Sequence, residues 1–132
     1  MTHRLDFFGP GAKAHHVGLA VASIAALVPD AEITHDQTQK VKVAFVDIAG
    51  QSIELIEPAD EKSPVSDNLA KGQKLVHIAI EVPDIEGAIA AARPHGFHRL
   101  AKPVPATAFD DRSIAWLFSR QYGLFELIEA AA

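Results

Sequence analysis

Two stretches of the chain alternate bulky aliphatic residues with small or polar ones, about sixty residues apart. They are "HVGLAV" at residues 16–21 and "HIAIEV" at residues 77–82. A period of two indicates β-strands, each with one apolar face and one face that carries the histidine. The small residues beside each histidine leave room around the imidazole. The pattern therefore predicts two equivalent strands.

Similar helix and hairpin signals follow each histidine strand. Ser23 and Asp84 stand where N-caps should be, and an apolar stripe predicts a helix over about residues 85–93. Pro29 limits the first helix to a turn or two. Each half then has two β-rich runs around a turn and ends alike, in "IELIEPA" at 53–59 and "FELIEAA" at 125–131. The chain is predicted to be a tandem repeat, each unit a strand, a helix and a meander of strands.

The repeat predicts one domain over residues 1–132 with two internal modules. Module one spans about 14–58, a connecting helix about 63–72, and module two about 74–129. Half a sheet from each module would leave apolar faces uncovered, so we expect one shared core.

Composition and charge narrow the classes of function. A net charge of -5 without a lysine or arginine run argues against nucleic acid as a partner. Without cysteine, disulfides and thiolate-ligated metals are excluded. No apolar run has the length of a membrane span, and the amino terminus has no signal-peptide core. We expect a cytoplasmic protein whose partner is a small molecule.

Four residues occupy equivalent places in the two modules and could bind a metal ion. They are His16 and Glu54 in module one, and His77 and Glu126 in module two. If each module brings its first and last strands side by side, all four side chains can point from one face. Two imidazole nitrogens and two carboxylate oxygens suit zinc, nickel, cobalt, manganese or iron. Taken singly, each residue could also be structural; the repeated register favours the metal site.

Other polar residues receive different predictions. Strand parity puts His15 on the face opposite His16, with a structural role or a role supporting a ligand. Glu57 and Glu129 also repeat, and parity predicts that they reach solvent. Residues 100–113 form the longest irregular segment, which could be a lid with Phe109 over a cavity or a solvated connector.

The paired histidine strands, each followed by an "ELIE" strand, resemble the vicinal oxygen chelate superfamily. This superfamily includes glyoxalase I, methylmalonyl-CoA epimerase, extradiol dioxygenases and fosfomycin or bleomycin resistance proteins. The likeness covers residues 14–129, and "SPVSDNLAKGQKLVHIAIEVPDI" is most similar to the epimerase branch. The resemblance implies an α+β fold of tandem βαβββ modules whose cupped mixed sheet surrounds a metal-site cavity. Many members are dimers, so a homodimer is expected, with the cup built within one chain or between two.

By motif, His16, Glu54, His77 and Glu126 fall on the family's ligand positions. The resemblance implies a metal-dependent isomerase, epimerase or lyase that acts through an enolate on a small carbonyl or acyl-CoA substrate. Glu54 or Glu126 would be the catalytic base, because the segment where the branch tends to carry a glutamate, before the strand near residue 40, offers Thr38 and Gln39, with Asp36 nearby.

Two alternatives stay open. A ligand-binding or sequestering protein without catalysis would explain the missing glutamate. A ferrous-iron extradiol dioxygenase typically uses two histidines and one carboxylate, so the fourth donor argues against it.

Overall fold

The computed structural model describes residues 2–131, which form a sheet of nine strands with few helices. The strands are β1 Lys13–Ala20, β2 Thr34–Asp36, β3 Val41–Ile48, β4 Gln51–Pro58, β5 Leu75–Val82, β6 His98–Arg99, β7 Val104–Ala106, β8 Arg112–Ser119 and β9 Gly123–Glu129. The helices are α1 Ile24–Leu27, α2 Pro64–Ala70 and α3 Ile85–Ala92, with 3-10 turns at Arg93–His95 and Thr107–Phe109. The predicted α+β class is confirmed. Within residues 2–131, no helix combines the length and apolar character needed to cross a bilayer.

The strand order shows two halves joined at their first strands. The order is β2-β3-β4-β1-β5-β9-β8-β6, with β7 paired to β8. β1 and β5 are antiparallel neighbours at the centre, while β1 pairs with β4 and β5 with β9 in parallel. The expectation that the first and last strands of each half lie side by side is confirmed. The halves are therefore related by a local twofold relationship across the β1–β5 pair.

The two faces of the sheet are covered by different helices. Helix α3 buries Ile85, Ala88, Ile89 and Ala92, as its apolar stripe predicts, against β8 and β9 on the outer face. Helix α1 buries Ile24 on the outer face of the first half. Helix α2 instead places Val65 on the inner face, against β3 and β4. Each fully buried aliphatic side chain stabilises the fold by about 1.5–3 kcal/mol. The centre of the inner face is left for the polar residues.

Two glutamates predicted to reach solvent cap helices instead. The N–H of Ile24 donates to Glu57 Oε1 at 2.8 Å, and the N–H of Ile85 donates to Glu129 Oε2 at 2.9 Å. A carboxylate at a helix N-terminus satisfies an amide without an intrahelical partner and interacts favourably with the helix dipole. Both side chains are therefore only partly exposed. Strand parity gives the face of a residue but not what covers that face.

The segment 100–113 is more ordered than predicted. Strand β7 pairs with β8, Val104 opposite Ile114, and a 3-10 turn follows over Thr107–Phe109. β7 has only one partner strand, so the missing N–H of Pro105 can be tolerated there. A three-residue strand containing proline has too weak a sequence pattern to be recognised in advance.

Candidate metal centre

The register of β1 and β5 brings the four candidate ligands to one point on the inner face. Gly18 lies opposite His77 and beside Glu54, and His16 lies opposite Ala79. Ala79 in turn lies beside Glu126 on β9. Only small residues stand between the long polar side chains, so those side chains can converge. Within the described residues, a single chain brings all four side chains together.

The four side chains converge to hydrogen-bonding distances. His16 Nε2 lies 3.1 Å from His77 Nε2, 3.3 Å from Glu54 Oε1 and 3.2 Å from Glu126 Oε1. His77 Nε2 lies 3.5 Å and 3.3 Å from the same two carboxylate oxygens. The four atoms all lie within 4.8 Å of one another. Two nitrogens and two oxygens thus point at a common centre.

Burial of the four side chains disfavours their charged forms and so affects their pKa values. The exposed fractions are 1% for His16, 5% for Glu54, 2% for His77 and 3% for Glu126. Burial lowers the pKa of His16, but the carboxylates of Glu126 and Glu54 outweigh it and raise that pKa to about 9. Burial raises the pKa of Glu126, but His16 and His77 outweigh it and lower that pKa. Without a metal ion, a proton on His16 partly balances the two negative charges.

The distances between the four donor atoms match those expected between the ligands of a divalent metal ion. Ligands about 2.1 Å from an ion and about 90–110° apart are themselves about 3.0–3.4 Å apart. The five separations given above span 3.1–3.5 Å. Among residues 2–131, Glu126 Oε1 has no hydrogen-bond partner although two ring nitrogens lie within 3.3 Å. A buried oxygen that faces two nitrogens without a hydrogen bond fits a position where a cation binds.

Gly18 makes room for the imidazole of His77. A Cβ atom at Gly18 would overlap Cε1 and Nδ1 of His77. The His77 ring also packs edge-on against Trp116, with centroids 4.8 Å apart. Its Nδ1 is buried and has no hydrogen-bond partner among the residues that the structure describes. His77 is therefore held by the shape of its surroundings.

His15 lies on the same side as His16, contrary to the prediction from parity. The pairing of β1 with β5 skips His15, which is the extra residue of a β-bulge between Ala14 and His16. A bulge redirects the side chain it carries. His15 Nδ1 accordingly lies 2.8 Å from His16 Nδ1. Val76 is the corresponding extra residue on β5.

The segment predicted as a lid or connector covers part of the cluster. Phe109 is 6% exposed, and its ring stacks on His16 with centroids 5.6 Å apart and an interplanar angle of 25°. Arg112 donates to Glu81 Oε2 at 3.0 Å, and its guanidinium carbon lies 6.0 Å from the Phe109 ring centroid. The segment therefore closes one side of the site.

A cavity of about 250 Å³ opens beside the cluster and reaches three of its residues. Its wall is mainly apolar. Its polar or ionisable members are Asp36, Gln39, Glu54, Asn68, His77 and Glu126. Gln39 Oε1 accepts from the indole N–H of Trp116 at 3.1 Å, which ties the loop before β3 to the second half.

Asp36, which the sequence places close to Thr38, lines the cavity. It is 5% exposed, and its Oδ1 accepts from the N–H of Gln39 at 2.9 Å. Thr38, in the segment where the epimerase branch carries its glutamate, is exposed. An aspartate two residues before Thr38 is a recognisable turn residue in the sequence. Its burial could not be recognised there, because it depends on the rest of the fold.

A sequence profile described as the Glyoxalase/Bleomycin resistance protein/Dioxygenase superfamily matches residues 15–116. No protein matches in the comparison with curated proteins. Among solved structures, a hypothetical protein from Bacillus halodurans C-125 is 30% identical, with a TM-score of 0.74 over 92% of this chain and 96% of that one.

Two further solved structures are methylmalonyl-CoA epimerases. The enzyme from Mycobacterium tuberculosis is 23% identical, with a TM-score of 0.72 over 90% of this chain and 88% of that one, which shows a shared fold. A variant of the Streptomyces coelicolor enzyme in complex with 2-nitronate-propionyl-CoA is 27% identical, with a TM-score of 0.70 over 90% and 97%.

We expect Gly18→Ala to displace the ring of His77 and to lower the free energy of unfolding by about 1–3 kcal/mol, because the added methyl group overlaps the imidazole. Urea denaturation measures the stability, and the NMR signals of the His77 ring report its position. Ala79→Gly, opposite His16, is the matched control and should cost about 1 kcal/mol while leaving the ring in place. Unchanged His77 signals in Gly18→Ala would contradict this account.

The pKa of His16 makes the stability of the metal-free protein depend on pH. A pKa raised from 6.5 to about 9 contributes stability that is fully present below pH 6.5 and lost as pH rises through about 9. We expect chelator-treated protein to lose urea resistance between these pH values, and His16→Gln to lose less. The exposed His98, changed to Gln, is the control. An equal pH dependence in His16→Gln and the unaltered protein would exclude His16 as the source.

Proposed function

The chain belongs to the glyoxalase/bleomycin resistance protein/dioxygenase superfamily, and from this premise we propose a metal-dependent isomerase, epimerase or lyase. Its substrate is a small carbonyl compound or acyl-CoA thioester, and the reaction passes through an enolate. His16, Glu54, His77 and Glu126 hold the divalent ion, which is zinc, nickel, cobalt, manganese or iron. The ion would supply a Lewis acid that stabilises negative charge on a substrate oxygen.

One observation carries the proposal. Four buried donor atoms from four different strands lie within 4.8 Å of one another, at the end of an apolar cavity. Structural ion pairs also bury charged groups. In this cluster, however, two carboxylate oxygens and two imidazole nitrogens face a common centre, and the two rings carry too few protons to give every one of these atoms a hydrogen bond. A divalent cation satisfies all four atoms at once. The opening towards the cavity leaves one side of the cluster accessible to a ligand.

The carboxylates would move the proton. Glu54 or Glu126 takes the proton from the carbon beside the carbonyl, so that the C–H bond breaks and a carboxylic O–H bond forms. An epimerisation is completed when the other glutamate, in its protonated form, delivers a proton to the opposite face of that carbon, so that the two carboxylates exchange protonation states. Both glutamates line the cavity, so either can face a substrate bound there.

The cavity limits the size of the reacting group. A volume of about 250 Å³ lies below the range of roughly 300–1,000 Å³ that takes a drug-sized ligand. It can take a short acyl group, whereas a carrier such as CoA would extend into solvent. The complex of the similar epimerase with 2-nitronate-propionyl-CoA supports a short acyl group of this kind.

A ligand-binding protein without catalysis is the second candidate. It is favoured by the loop before β3, where Thr38 is exposed and Gln39 is bonded to Trp116, so that neither supplies a base. A ferrous-iron dioxygenase is less well supported, because four protein donors leave fewer positions for oxygen and substrate. A homodimer and a cytoplasmic location stay predictions.

Metal binding and proton exchange test the proposal together. We expect purified protein to bind about one equivalent of zinc, cobalt or nickel, measured by elemental analysis and titration. The loaded protein should catalyse deuterium exchange at the carbon beside the carbonyl of short acyl-CoA thioesters. A loaded protein that binds such thioesters without exchange would favour the binding protein, and oxygen consumption with catechols would favour the dioxygenase. A folded protein that binds no divalent ion would overturn the metal site.

Glutamine variants separate catalysis from metal binding. We expect Glu54→Gln or Glu126→Gln to lower the exchange rate at least about 100-fold. At a metal concentration that saturates the variants, metal occupancy should fall far less than the exchange rate, because three donors and an amide oxygen remain. The exposed Glu61, changed to Gln, is the control. Equal losses of exchange and metal would remove the catalytic role, and loss of exchange in Asp36→Asn alone would transfer it to Asp36.

A further inference from the structure

The two imidazoles of the cluster have different surroundings on the side away from the carboxylates. His16 Nδ1 lies 2.8 Å from His15 Nδ1, whereas His77 Nδ1 has no hydrogen-bond partner among residues 2–131. The bulges in β1 and β5 explain the difference. In the first half the extra residue is His15; in the second half it is Val76, which lines the cavity and cannot accept a hydrogen bond.

The contact between His15 and His16 requires one specific arrangement of protons when His16 is a ligand. A nitrogen pair 2.8 Å apart is a hydrogen bond, so one of the two atoms carries a proton. His16 Nε2 faces the two carboxylates and His77, and it must offer a lone pair to bind a metal. A neutral imidazole has its single proton on the other nitrogen. His16 Nδ1–H therefore donates, and His15 Nδ1 accepts.

We propose that His15 is a positioning residue for the metal site: it accepts the hydrogen bond of His16 Nδ1–H and holds the His16 lone pair towards the ion. The proposal rests on the metal site of the proposed function. Ligating histidines commonly donate their second N–H to a carboxylate, a backbone carbonyl or water, and these partners fix the tautomer and the ring orientation. Here the acceptor is another imidazole from the adjacent residue.

Packing contacts keep His15 in this position. Its ring meets the edge of Phe109 with centroids 5.5 Å apart and an interplanar angle of 88°, and Phe109 also stacks on His16. A purely space-filling role would need only the ring shape at this position. The hydrogen-bond role needs an acceptor at the Nδ1 position, and that difference makes the two roles separable by mutation.

The test compares two variants of nearly equal shape. His15→Asn places an amide oxygen near the former Nδ1, and His15→Leu places a methyl group there. We expect zinc affinity of the full chain, measured by competition with a chelator, to fall about 10–100-fold in His15→Leu. In His15→Asn it should stay within about threefold of the unaltered protein. Visible absorption of the cobalt-loaded protein should change in His15→Leu and be preserved in His15→Asn.

Thermal unfolding of the metal-free variants separates a loss of positioning from a loss of folding. If His15→Leu does not fold, His15→Val replaces it, since valine already occupies the equivalent bulge at residue 76. Zinc binding by His15→Leu equal to that of the unaltered protein would overturn the role of His15 alone. Equal weakening in His15→Asn and His15→Leu would show that ring shape matters and would also overturn it. No zinc binding by the unaltered protein would overturn the metal site itself.

Discussion

Burial of two carboxylates and two imidazoles at one point is the constraint on which the rest of this structure depends. Glu54 and Glu126 are at most 5% exposed, and an uncompensated buried carboxylate costs several kcal/mol. A proton on His16 balances one of the two negative charges. A divalent cation with two neutral imidazoles balances both. The inner face of the sheet therefore has a charge requirement, which either protons on the imidazoles or a divalent cation would meet.

The duplicated "ELIE" segment links this charge cluster to the helices. Its first glutamate, Glu54 or Glu126, points to the inner face, and its second, Glu57 or Glu129, accepts an amide at the start of α1 or α3. Residues three apart on a strand lie on opposite faces, so one short segment can serve both. The position of each helix is thereby tied to the strand that carries a site carboxylate.

The two halves depart from twofold symmetry in the residues that surround the two imidazoles. Gly18 opposite His77 and Ala79 opposite His16 give the two rings unequal room. The bulge of the second half carries Val76, which helps to form the apolar cavity, while the bulge of the first half carries His15 beside Phe109. On the side away from the carboxylates, the ring of His16 has a hydrogen-bond partner, whereas the ring of His77 has only packing contacts among the described residues. The open side of the site lies next to His77.

The sequence by itself determined the repeat, the strand faces and the four polar residues that converge. It could do so because the period of a strand fixes which side chains share a face, and a duplicated register brings equivalent positions together. Tertiary structure alone decided the bulge that turns His15 inward, the capping by Glu57 and Glu129, and the burial of Asp36 and Phe109. Each depends on contacts between residues far apart in the chain, and a bulge changes parity without a recognisable local pattern.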